Sequence, residues 1–172
     1  APWPDDVSWE RLIGRLRFLQ RERPDLSLPA VDDAALRDLA VELAPGCRSL
    51  AELRRSDWEG ALMRRLSHGD RLLLERYAPE AVPVRGGRLA RLDYPVAGPP
   101  VLAVKMQDLF GVSETPRVAG RPVLLHLLAP NGRPQQVTDD LGGFWARTWP
   151  EVRKELRARY PKHAWPEDPR VV

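Results

Sequence analysis

Between Gly143 and Pro169 the sequence sets Trp145, Trp149, Tyr160 and Trp165 among Arg147, Arg153, Lys154, Arg157, Arg159 and Lys162. That mixture can grip a nucleic-acid strand. Guanidinium and ammonium groups neutralise phosphates, and flat rings stack on bases. The candidate contacts are Arg147, Arg153, Lys154, Arg157 and Lys162 for phosphates, with Trp149, Tyr160 and Trp165 for bases. A plainer reading uses the same residues: the cations on a solvated helix face, the tryptophans in a core. The residue types alone leave both open.

Other chemistries find little support. No Gly-x-x-x-x-Gly-Lys-Ser/Thr loop exists to cradle phosphates, and none of the three lysines, Lys105, Lys154 and Lys162, follows a glycine. His68, His126 and His163 fall on a helix start, a strand and a tail without ligand spacing. Cys47 is the single cysteine, which excludes an intramolecular disulfide and a cysteine zinc cluster and suits a reducing cytoplasm. A metal-dependent nuclease site would want a carboxylate two residues before a strand lysine; Ala103 stands there, before Val104 and Lys105. Asp139 and Asp140 read as a helix cap. No catalytic residue and no metal ligand is therefore expected in this chain.

Thr148-Trp149-Pro150-Glu151 has capping-box spacing, so a helix is expected from about Pro150 to Tyr160, stopped by Pro161. Val152, Leu156 and Tyr160 form its inward stripe, and Glu155 stands four residues before Arg159, a favourable helical pair. Upstream, alternation predicts strands at Ala81–Val84, around Ala90–Tyr94, at Val101–Met106, at Val123–Leu128 and at Gln135–Thr138. Gly86-Gly87 is a turn, Gln107–Phe110 one helical turn, and residues 112–121 a loop. Five strands fit an OB-like barrel or a small twisted sheet covered by the C-terminal helix. Before Pro79 the period is helical. Asp5, Asp6 or Ser8 caps a first helix with Trp9, Leu12, Ile13, Leu16 and Leu19 inward and Arg11, Arg15, Arg17, Arg21 and Arg23 decorating it. Further helices start near Asp32 or Asp33, Ser49, Ser56 and Ser67. The fold class expected is α+β: a helical subdomain over 1–78, then a β-rich domain over 79–172 ending in a basic helix.

Charge follows the same division. Residues 1–80 carry 13 basic and 15 acidic groups, whereas residues 81–172 carry 14 and 9, so the second part is the better partner for a polyanion. No apolar run approaches the ~20 residues of a membrane-spanning helix, and no membrane partner is expected. The chain opens on Ala1 rather than Met, which points to a piece of a longer protein.

Several long and unusual strings carry a resemblance: Pro100-Val101-Leu102-Ala103-Val104-Lys105, Glu114-Thr115-Pro116-Arg117-Val118, Leu124-Leu125-His126-Leu127-Leu128, Asp140-Leu141-Gly142-Gly143-Phe144-Trp145 and Tyr160-Pro161-Lys162-His163-Ala164-Trp165-Pro166-Glu167-Asp168-Pro169. They resemble the C-terminal region of HrpB-type bacterial DEAH-box helicases, densely from about residue 79 to 169 and more thinly before. The resemblance implies a longer parent with ATP- and Mg²⁺-dependent motor domains and RNA as substrate. This chain would be a non-catalytic accessory region without a cofactor of its own. Its partners would be single-stranded RNA, at the candidate residues above, and the motor domains. The alternative is a docking module without nucleic-acid contact, in which the helical unit uses Trp9 and Trp58.

Overall fold

The computed structural model describes residues 2–172. The chain divides into two compact units, one ending at Pro79 and one spanning Glu80–Val172.

Among its described residues the first unit holds five helices: α1 (Val7–Glu22), α2 (Asp33–Leu43), α3 (Leu50–Arg54), α4 (Trp58–Arg65) and α5 (His68–Tyr77). Each begins on a side chain that accepts from an early backbone N–H: Asp6, Asp32, Ser49, Asp57 and Ser67. Ser67 and Asp70 form a reciprocal capping box. Helix α4 starts on Asp57, not Ser56. Helix α1 is the centre of this unit, with no exposed residue from Arg11 to Gln20. Trp9 meets Trp58 edge to face, ring centroids 5.6 Å apart, and both are buried. Both rings are used in packing between helices, so neither presents a free face to a partner. The expected arginine decoration of α1 also needs correction. Arg15 is 5% exposed; its Nε donates to the Ala78 carbonyl (2.7 Å) and its guanidinium pairs with Glu75 (2.9 Å). Arg17 donates to the Val31 carbonyl. A buried guanidinium is tolerable only when its donors find acceptors, and here the end of α5 supplies them.

The second unit is not a barrel. Its strands are β1 (Ala81–Pro83), β2 (Leu89–Arg91), β3 (Val101–Lys105), β4 (Arg117–Val118), β5 (Arg121–Pro122), β6 (Leu124–Leu128) and β7 (Pro134–Thr138). They form three separate sheets: β1–β2, β3–β6–β7 and β4–β5. The OB-like reading fails because these sheets are separate and do not close into one barrel; in the largest, β3 and β6 run parallel, in register Leu102↔Leu125 and Val104↔Leu127, while β7 returns antiparallel to β6. A parallel pair needs a crossover, and residues 106–123 supply it. That crossover contains the β4–β5 hairpin where a plain loop was expected. Its two turn residues, Ala119 (φ 51°) and Gly120 (φ 76°), both take positive φ, as a tight two-residue hairpin requires. Leu102, Val104, Leu125 and Leu127 are all buried.

Candidate nucleic-acid interface

The basic-aromatic stretch starts earlier than its capping-box pattern suggests. The chain is helical from α6 (Leu141–Gly143) through a π-helical segment (Phe144–Thr148) into α7 (Trp149–Arg159). The working N-cap is Asp140, which accepts from Gly143 N (2.9 Å). Thr115 completes this start. Its hydroxyl donates to the Asp139 carbonyl (2.8 Å) and accepts from Leu141 N (2.9 Å), which gives the Glu114–Val118 string a structural reason. Thr148 sits inside the helix with helical angles and makes no side-chain cap. The wider π turn has Trp149 N bonded to the Phe144 carbonyl. It lies just ahead of Pro150, whose missing N–H and bulky ring would strain an ordinary α-turn at that point.

Three indoles pack around Phe110. Its centroid lies 5.7 Å from Trp149, 6.2 Å from Trp145 and 6.4 Å from Trp165, and Phe144 adds a contact 5.2 Å from Trp145. Each indole N–H donates to a backbone carbonyl: Trp145 to Val112 (2.8 Å), Trp149 to Pro166 (3.0 Å) and Trp165 to Tyr160 (2.9 Å). Such bonding satisfies a buried indole. Trp149 is 1% and Trp165 6% exposed. Both rings are packed against neighbouring rings, which does not favour the expected stacking on bases. Tyr160 is half-buried, its ring 6.3 Å from His163.

The tail after α7 folds back as a strap. Besides the two indole bonds, Arg153 Nε donates to the Trp165 carbonyl (2.8 Å) and Gly111 N to the Pro169 carbonyl (2.7 Å). Near its end, side-chain and backbone N–H bonds from Arg170 hold the Asp168 carboxyl below its usual range. Asp168 thus stays ionised further into acid. Whatever stability the pair lends is present above the ordinary carboxyl pKa and fades as pH falls through the lowered value.

The candidate cations divide by what they touch. Arg153 is half-buried and fixes the strap. Arg147 pairs with Asp140 (3.2 Å) over Gly143, where a Cβ would collide with both side chains. Lys154 lies 4.0 Å from Glu151. Glu155 reaches Gln135 on β7 (3.5 Å) rather than Arg159. Arg157 and Lys162 are exposed and, among the described residues, engage no carboxylate or carbonyl. Arg157 borders a recess of about 320 Å³ together with Pro161, His163 and Trp165.

A second recess, of about 460 Å³, shares His163 and Trp165 as wall and adds Arg85, Gln107, Phe110 and Pro166. Arg85 lies over the Phe110 ring at 5.9 Å. Gln107 Nε2 is 3.3 Å from His163 Nδ1, while its Oε1 is buried with no partner. Arg85, Gln107 and His163 could not be grouped from the sequence because they lie far apart in the chain. The one local signal was Gly86-Gly87, whose positive φ values of 68° and 75° make the turn that presents Arg85.

Fold and site together define a mixed α+β module with an aromatic core, a helix-and-strap surface carrying free cations, and paired recesses beside them. Residues 40–169 match the family described as ATP-dependent helicase C-terminal, and the chain belongs to that family. It is 40% identical over 166 residues to the ATP-dependent RNA helicase HrpB of Escherichia coli strain K12, an alignment that covers 93% of this chain and 20% of that protein. The crystal structure of the E. coli DExH-box NTPase HrpB superposes on 99% of the chain at TM-score 0.89 and 37% identity, using 22% of its own length. A crystal structure of the Escherichia coli DEAH/RHA helicase HrpB covers 95% at TM-score 0.75 and 36% identity, using 21% of its length. The chain spans about a fifth of the length of these relatives. The family expected from the sequence strings is the one found.

Proposed function

We propose that this chain is the non-catalytic C-terminal accessory region of an ATP-dependent RNA helicase in the cytoplasm, and that its second unit guides single-stranded RNA beside the motor domains. The observation that carries this is the pair Arg157 and Lys162: exposed, without an internal partner among the described residues, in a part of the chain with a net positive charge. The similar E. coli protein is named an RNA helicase, which supplies the substrate class. The chain's own residues do not fit ATP and Mg²⁺. No lysine follows a glycine in a phosphate loop, and among the described residues no group of three or more His, Cys, Asp or Glu could hold a metal ion. Nucleotide chemistry is assigned to the remaining four-fifths of a protein like the relatives.

The test is fluorescence anisotropy of a labelled single-stranded RNA at several salt concentrations, on the wild type and on the double variant Arg157→Gln, Lys162→Gln. On a single strand, each phosphate that is no longer neutralised should flatten the slope of log affinity against log salt by about 0.7, so the pair should remove about 1.4. Arg147, Arg153 and Lys154 remain candidate contacts, but Arg153 is left out of the variant because it also ties the strap. Equal affinity and equal slope for both proteins would take this surface out of the RNA path and favour docking against the motor domains.

A further inference from the structure

We propose, resting on the RNA reading above, that the recess beside Phe110 is a nucleobase subsite, and that Arg157 holds a phosphate of the same strand across the His163–Trp165 ridge. Three observations converge. The two recesses share that ridge as a common wall, so an apolar hollow of about 460 Å³ and a cation-bordered one of about 320 Å³ lie side by side. The larger volume lies within the ~300–1,000 Å³ of small-ligand pockets. Next, Gln107 Oε1 is buried and unpaired, while the other end of its amide meets His163. A buried acceptor without a donor is costly, and a rotation of the Gln107 side chain that turns the amide into the hollow would let a ligand N–H relieve it. Each RNA base offers an amine or ring N–H on its pairing edge, displayed when the strand is single. Finally, Arg85 stands exposed at the hollow, its guanidinium over Phe110, and a planar guanidinium is a stacking surface for a base. The neighbouring Arg88 pairs with Asp108 (2.6 Å), linking the turn that presents Arg85 to the segment that bears Gln107. An aliphatic peptide side chain would fill the hollow but leave Gln107 unsatisfied and Arg157 unused; a nucleotide uses both.

Anisotropy on the 172-residue chain would compare a single-stranded RNA oligomer with an abasic ribose-phosphate oligomer of equal length. The wild type should prefer the base-bearing strand by about tenfold, the scale of one stacked base. Gln107→Leu should abolish that preference while leaving abasic affinity unchanged. Arg85→Ala, at an exposed position, should do the same and reports independently if Gln107→Leu fails to fold. Arg157→Gln should weaken both oligomers by the same factor. Equal wild-type affinity for the two oligomers would overturn the subsite and leave the RNA reading standing, with phosphate contacts alone. No binding of either oligomer would overturn both.

Discussion

Helix α1 of the first unit and helix α7 of the second are both rich in arginine, and they use it in opposite ways. On α1 two guanidinium groups turn inward: Arg15 reaches Ala78 and Glu75, Arg17 reaches Val31, and the helix is covered along its middle. On α7 one arginine, Arg153, is tied to the strap, while Arg157 is left to solvent. Arginine content therefore says nothing about binding until each group's acceptors are known. A guanidinium that has satisfied its donors within the fold is a strut, and one with free donors is available to a ligand.

That comparison can be broken by stability measurements ordered by expected effect. Arg15→Met should cost about 2–3 kcal/mol in urea unfolding, because it leaves the buried Ala78 carbonyl without its donor; Glu75, two-thirds exposed, can return to water. A cost near zero would mean that this arginine is not a strut. Arg153→Gln should cost about 1.5 kcal/mol, the lower end for a single bond from a charged donor, here to the partly shielded Trp165 carbonyl, and should loosen the strap. Faster proteolysis within residues 161–169 would report that loosening. Arg157→Gln should change stability by less than about 0.5 kcal/mol, since the side chain gives up no acceptor among the described residues. If it cost as much as Arg153→Gln, the distinction between strut and ligand-facing cation would collapse.

What could be read from the sequence was what is local. Ser67 caps a helix where one was expected to start, and Asp70 makes that cap reciprocal. Each of the five expected strands overlaps one of the seven found, though the one expected around Ala90–Tyr94 ends at Arg91, because alternation over three to five residues survives whatever the sheet order turns out to be. Sheet order itself was hidden: nothing in Val101–Lys105 or Leu124–Leu128 says that the two strands pair in parallel. The β4–β5 hairpin was hidden because its turn begins on Ala119, a residue that suffers a steric penalty at positive φ and carries no turn signature. The helix start was misread because Thr148-x-x-Glu151 satisfies a capping pattern that the longer helix from Asp140 overrides. For the candidate site, the free cations were visible as residue types. Their division into tied and untied was not, since Arg15 finds its partners 60 and 63 residues away and Arg153 its own in a tail that folds back. Gln107 and His163, 56 residues apart, meet only in three dimensions.

The π turn at Phe144–Thr148 also sets the phase of everything after it. In an α-helix each residue advances about 100° around the axis. A turn closed by an i→i−5 bond, Trp149 N to the Phe144 carbonyl, takes in one residue more than an α-turn would. That extra residue offsets the azimuth of α7 relative to the cap at Asp140. The helix end that is anchored by Thr115 and Asp140 and the face that bears Arg153 and Arg157 are thus related by a count of residues, not by touch. Removing one residue here would leave composition, charge and both ends of the helix almost unchanged, yet would swing the cationic face by about a quarter of a turn. In this region the length of the chain decides where the cations point as much as their identity decides what they carry.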